Sequence, residues 1–125
     1  MTESRRRAYR LGRTAEALCV ASLALRGYRI LARGYRTPVG EIDIVARRGR
    51  ILAVIEVKAR ADLGTAAEAI GPRQRARILR ATERLLQQRP ALAGLDLRFD
   101  AMLVAPGRPP RHLRDAWRPP RPDGF

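Results

Sequence analysis

The chain has 125 residues, enough for one domain with its own core, and 26 basic side chains against 12 acidic ones give it a formal charge of +14. With 46% hydrophobic residues it is too apolar to be disordered by that charge. One cysteine excludes an internal disulfide framework and a cysteine-rich zinc site, and one histidine excludes any site that needs two.

Positive charge in excess calls for an anionic partner, nucleic acid first and an acidic membrane surface second. The charge is unevenly placed. Residues 40–70 are neutral overall, with five acids and five bases, whereas residues 71–90 carry +5. Twenty-five of the basic residues are arginine and only one, Lys58, is lysine.

Residues 4–26 predict a helix with Ala15, Leu18, Cys19, Ser22 and Leu25 on one face and Gly27 as its stop. Arg5, Arg6, Arg7 and Arg10 ahead of the apolar residues 15–25 imitate an export signal. Glu16 inside the run argues against export, and the run is too short and alanine-rich to span a bilayer. The expectation is an amphipathic helix of a cytoplasmic protein with no membrane partner, in which Cys19 is a small buried hydrophobe.

Residues 28–35 predict a strand, residues 37–40 a turn, and residues 41–48 and 51–60, rich in Ile and Val, two further strands. Residues 61–71 read as a loop with a short helical piece. Pro72 suits the first turn of a helix running to about Gln88. Residues 97–104 predict another strand, and the Pro- and Arg-rich remainder holds one short strand at 111–116. The order α-β-β-β-α-β makes a compact α/β domain over residues 1–117, followed by a Pro/Arg-rich tail at 118–125.

The turn Arg48-Gly49-Arg50-Ile51 sets a register. Arg48 faces Ile51, Val45 faces Val54, Asp43 faces Glu56 and Glu41 faces Lys58. One face then carries Ile42, Ile44, Ala46, Ile51, Ala53, Ile55, Val57 and Ala59, all apolar. The other carries Glu41, Asp43, Val45, Leu52, Val54, Glu56 and Lys58. Three carboxylates and an ammonium converge on a sheet built for burial, with side chains about 5 Å apart across strands. Such a cluster is costly. Protonation, the lysine or a divalent cation would relieve it, and magnesium needs only one or two protein carboxylates beside water and phosphate oxygens. A salt-bridge cluster in which Lys58 pairs Glu41 and Glu56 fits the same spacing.

On the second helix Arg73, Arg77, Arg80 and Arg84 form one basic stripe opposite Ile78, Ala81, Leu85 and Leu86. The stripe is either a phosphate-contacting ridge or a solvated face. His112 reads as an ordinary surface residue, and Trp117 reads as packing the tail onto the domain, with stacking on a base as the alternative.

Gly40-Glu41-Ile42-Asp43 followed by Ile55-Glu56-Val57-Lys58-Ala59-Arg60 resembles the PD-(D/E)xK nuclease core. From about Gly12 to Trp117 the chain is similar to the YraN-like family of small bacterial proteins, grouped with Holliday junction resolvase-like and restriction endonuclease-like folds. The similarity includes Gly12 and Glu16, Gly27-Tyr28, Arg73-Gln74, and Arg98 with Asp100. Departures are Ala15 for a frequent glycine, Gly34 for asparagine, Arg73 for lysine, and Ile42 in place of the proline before Asp43. None removes a ligand that the resemblance implies.

The resemblance implies a restriction endonuclease-like core with a mixed central sheet flanked by helices. It implies Mg2+ or Mn2+ on Asp43 and Glu56, with the backbone carbonyl of Val57 and Glu16 as further ligands. Lys58 would orient or deprotonate the attacking water, or stabilise charge on the phosphate, and Gln74 would position the site. Arg60 joins Arg73, Arg77, Arg80 and Arg84 as candidate nucleic-acid contacts. Arginine stays protonated as a broad fork, whereas lysine is a compact charge that shifts on burial, which gives a reason for the lone lysine at this position. The expected activity is metal-dependent hydrolysis of DNA phosphodiester bonds, branched or structured DNA included, by a homodimer if both strands of a junction are cut. Two alternatives stand beside it: a non-catalytic nucleic-acid-binding protein that keeps the fold, and a basic RNA- or ribosome-associated adaptor.

Overall fold

The Ile- and Val-rich run between Gly40 and Ala59 folds into a hairpin, and the rest of the chain is laid around it. The computed structural model describes residues 3–59 and 70–120, and of residues 3–13 the backbone only. Its elements are α1 (Glu3–Leu25), β1 (Arg29–Thr37), β2 (Gly40–Arg48), β3 (Ile51–Ala59), α2 (Pro72–Gln88), a 3-10 turn (Pro90–Leu92), β4 (Asp96–Val104) and β5 (Arg111–Trp117). They form one five-stranded sheet in the order β1-β2-β3-β4-β5. β3 and β4 are parallel and the other neighbours antiparallel, so α2 lies in the crossover that a parallel pair requires. This is a mixed α/β sheet with two helices, consistent with a restriction endonuclease-like core. Arg60, residues 61–69 of the expected loop, and residues 121–125 of the expected tail lie outside the described residues.

Each helix buries one stripe on the sheet. α1 packs Ala15, Cys19 and Leu23 against Ile44, Ala46, Ala53, Ile55 and Met102. Burial pushes the Cys19 thiol up to about 12, as the reading of a small hydrophobe requires. The expected stripe is corrected in part. Leu18 is 46% and Leu25 90% exposed, because the buried path follows the four-residue spacing of 15, 19 and 23. α1 stops at Gly27, whose φ of +88° lets the Tyr28 N–H turn back to donate to the Leu23 carbonyl at 3.0 Å.

α2 buries Ile78, Ala81, Thr82 and Leu85. Ile78, Ala81 and Leu85 meet Val45, Leu52, Val54, Phe99, Ala101 and Leu103 on the opposite face of the sheet. The Thr82 hydroxyl donates to the Ile78 carbonyl at 2.8 Å, so its burial leaves no unpaired polar atom. Trp117 stacks on Phe99 with ring centroids 4.3 Å apart, packing the end of β5 onto this cluster as expected. Ile42 corrects the face assignment. It belongs to the cluster beneath α2, whereas Ile44 belongs to the one beneath α1, so strict alternation fails across Asp43. Among the described residues no helix is long and apolar enough to cross a membrane.

Candidate active site

The β2–β3 ladder runs from Arg48↔Ile51 through Val45↔Val54 to Ile44↔Ile55, the register that the turn predicts. It ends one residue short of Asp43 and Glu56. There the Val57 N–H, which would otherwise need a backbone acceptor, donates to Asp43 Oδ2 at 2.8 Å. A side chain thus takes over where the ladder stops, which fixes the Asp43 carboxylate against β3.

Glu56 is 8% exposed. Lys58 Nζ lies 3.4 Å from Glu56 Oε1. Gln74, from the first turns of α2, joins the two: its carbonyl oxygen accepts from Lys58 Nζ at 3.0 Å and its amide nitrogen donates to Glu56 Oε1. Gly40 allows α2 this near approach. A Cβ there would lie 2.0 Å from the Arg77 carbonyl oxygen and 2.7 Å from the carbonyl carbon. The glycine of the Gly-Glu-Ile-Asp motif is therefore a helix-contact glycine.

Burial pushes the Asp43 carboxyl above its ordinary range, against the lowering effect of the Val57 N–H and of a hydrogen bond with Glu56. Glu56 is pushed up to about 8 by burial first and by the Asp43 charge second, with Lys58 opposing. Two carboxylates coupled in this way resist being charged together.

Glu16 on α1 accepts from Arg33 Nε at 3.2 Å. Its charge is felt at Asp43 and helps to raise it. Among the described residues no three His, Cys, Asp or Glu side chains form a group that could hold a metal ion. Asp43 and Glu56 are the two acids brought together. Glu41 departs from the expected pairing with Lys58. It faces Arg36 in the β1–β2 register and lies 3.6 Å from Arg36 Nε, because that ladder reaches it and the β2–β3 ladder does not. Glu41 still lines the cleft beside the pair. The cleft, of about 340 Å³, has Glu41, Asp43 and Glu56 on the sheet side and Arg73, Gln74, Arg77 and Ile78 on α2. Arg80 and Arg84 continue the exposed stripe beyond the cleft.

A second polar network escaped sequence reasoning. Asp100 on β4 is fully buried. It accepts from Arg98 Nε at 2.9 Å, from Arg98 Nη2 at 2.8 Å and from the Asp115 N–H at 2.9 Å, and it lies 2.7 Å from His112 Nε2. Arg98 also donates to the Tyr28 hydroxyl at 2.7 Å. Burial alone would raise the Asp100 carboxyl, but His112, Arg98 and the Asp115 N–H together hold it below the usual carboxylate range. His112 is thus no surface residue, since only 1% of its side chain is exposed. Asp115 has a φ of +55°, the one left-handed non-glycine residue among those described, and its N–H points at Asp100 where the β4–β5 register shifts. The network's traces in the sequence were Arg98 with Asp100, and Tyr28, named only as family-like residues, since the partners come from distant segments.

A profile of the uncharacterised protein family UPF0102 matches residues 15–104, a span that holds Glu16, both strand motifs, α2 and β4. The chain belongs to the UPF0102 family. It is similar to a UPF0102 protein of Parvibaculum lavamentivorans, 60% identical over 112 residues that cover 90% of this chain and 84% of the relative. A UPF0102 protein of Maricaulis maris is 53% identical over 119 residues, 95% of this chain and 94% of the relative. A third, from Bradyrhizobium diazoefficiens, is 54% identical over 110 residues, 88% of this chain and 83% of the relative. The YraN-like resemblance of the motifs is to this same family. In this UPF0102 chain His112 and Asp115 lie beyond the matched residues, whereas Arg98 and Asp100 lie within them.

Proposed function

We propose that this UPF0102 protein is a divalent-metal-dependent nuclease that hydrolyses phosphodiester bonds in DNA. The observation that carries the reading is the Asp43–Glu56 pair, one carboxylate half-buried and the other buried, facing a cleft rimmed by arginine. Holding such a pair in a fold is costly unless something positive joins it. Lys58 supplies one charge, and a proton or a cation would supply the rest.

The donor set fits a hard divalent cation, Mg2+ or Mn2+. Both groups offer carboxylate oxygens, two are as many as magnesium usually takes from protein, and a cation would relieve a pair that resists being charged together. Bound there by Asp43 and Glu56, the cation would polarise a phosphoryl oxygen and lower the pKa of its water. The chain's own residues do the rest. The Val57 N–H fixes Asp43. Gln74 is a positioning residue that holds Glu56 and Lys58 to one another. Lys58 has three donors, of which one goes to Gln74 and a second faces Glu56, so one is left for an attacking water or a phosphoryl oxygen. Arg73 and Arg77 line the cleft, where guanidinium forks hold the phosphates that flank the scissile one.

The test is a cleavage assay on duplex, single-stranded, flapped and four-way-junction DNA with Mg2+ or Mn2+, with Asp43→Ala and Lys58→Ala beside wild type. The expected result is metal-dependent cutting of at least one substrate, lost in both variants with DNA binding retained. Wild-type binding without cutting under every metal condition would refute the enzyme and leave a binding protein that keeps the fold.

A further inference from the structure

The end of the sheet remote from the cleft carries a second concentration of positive charge. Arg26 follows α1, Arg29 opens β1, and Arg47, Arg48 and Arg50 bracket the β2–β3 turn; all five are exposed. Arg29 and Arg47 are direct cross-strand partners. Like charges in that position destabilise a sheet. Among the described residues none of the five lies within ion-pair distance of a carboxylate. Asp96 and Asp115 line a pocket with Ile51 at this end; the Asp96 backbone N–H donates to the Arg50 carbonyl, and the Asp115 carboxylate pairs with Arg118.

Three of these side chains are held in place by the backbone. Arg47 Nε donates to the Gly49 carbonyl at 2.9 Å and Arg50 Nη2 to the Gly94 carbonyl at 2.8 Å. Arg48 Nη1 donates to the Arg26 carbonyl at 3.4 Å while its guanidinium lies 4.5 Å from the Tyr28 ring centroid. Each of these hydrogen bonds orients a guanidinium and uses one of its five donors, so four are left on each. Uncompensated like charge held in a fixed array is the arrangement expected of a surface completed by an anion.

We propose that this end of the sheet is a second nucleic-acid-binding surface, a site for the phosphodiester backbone separate from the cleft. Arginine forks match phosphate oxygens two at a time. A membrane-surface patch would set its basic residues beside a continuous apolar face. Here the exposed large apolar residues are Leu25 and Leu97, on separate elements. From Arg48 to Asp43 is five residues along β2, on the order of 17 Å at the strand rise. One strand of a B-form duplex places about five phosphates over that length. The surface binds whether or not the cleft cuts.

The test is binding of a duplex of about 20 base pairs to the metal-free protein in EDTA, followed by fluorescence anisotropy across a salt series. The Arg26→Gln/Arg29→Gln/Arg47→Gln protein should show a log–log salt slope shallower by about 2–3, at roughly 0.9 for each phosphate that is no longer neutralised. The single variant Arg29→Gln should lower the slope by about 1. Its thermal midpoint should be no lower than wild type, since a repulsive pair is gone, and Arg29→Lys should restore most of the slope. An unchanged slope in a folded Arg29→Gln protein and in the triple variant would overturn the proposal. So would loss of binding to anionic phospholipid vesicles with DNA binding intact.

Discussion

Gly40→Ala asks whether α2 is seated on β2 as closely as the site requires. The new methyl would lie 2.0 Å from the Arg77 carbonyl oxygen, and ordinary contact begins at 3.4 Å, so the two must part by about 1.4 Å. The obstacle is backbone in the middle of a helix, so no side chain can swing aside. Overpacking of this kind costs about 1–3 kcal/mol, and the upper part of that range is expected. It should appear as a lower urea midpoint at unchanged slope. The functional loss should be larger than the stability loss. Gln74 lies one turn before Arg77, and it ties Glu56 to Lys58. Misplacement by about 1 Å can cost a reaction on the order of 100-fold. A folded Gly40→Ala protein within about 0.5 kcal/mol of wild type, with cleavage unaltered, would refute the account of this glycine.

Three further outcomes follow from the same structure. Glu56 has a folded pKa of about 8, above its ordinary 4.5, so the unfolded chain binds fewer protons between those values and stability falls as pH rises through them. Denaturation in EDTA should show that fall, and Glu56→Gln should flatten it; an identical pH trend in both proteins would refute the burial argument. Asp100 has the opposite sign, with a folded pKa below its unfolded value, so its contribution is full above the ordinary carboxylate range and lost as pH falls through the folded value. Asp100→Asn should cost about 3–5 kcal/mol near neutral pH, and urea midpoints at falling pH should show the gap to wild type closing. Trp117→Ala should cost about 3–5 kcal/mol by removing the stack on Phe99. Because Trp117 is the single tryptophan, wild-type emission should be blue-shifted in the native state and move to the red on unfolding.

Local chemistry was legible along the chain. A Gly-first turn between two apolar strands set the register near Gly49, and the ladder keeps it as far as Ile44↔Ile55. Helical spacing separated the exposed arginines of α2 from Ile78, Ala81 and Leu85. The strand-spaced motifs brought Asp43 and Glu56 into consideration, and they do meet. What could not be read was where regularity ends. Ile42 changes sides because the ladder with β3 stops before Asp43, and Glu41 turns to Arg36 because a different strand reaches it.

The elements, the hairpin and most core positions follow from local residue patterns, because turn chemistry and periodicity act over a few residues. The need for glycine at Gly40, the partners of Gln74 and the burial of the His112 side chain come from packing between distant segments. Those segments are brought together by the α2 crossover and the docking of β5 on β4. The like-charged end around Arg29 and Arg47 belongs to the same class. Neither residue is near the other in the chain, and the antiparallel pairing of β1 with β2 sets their charges side by side.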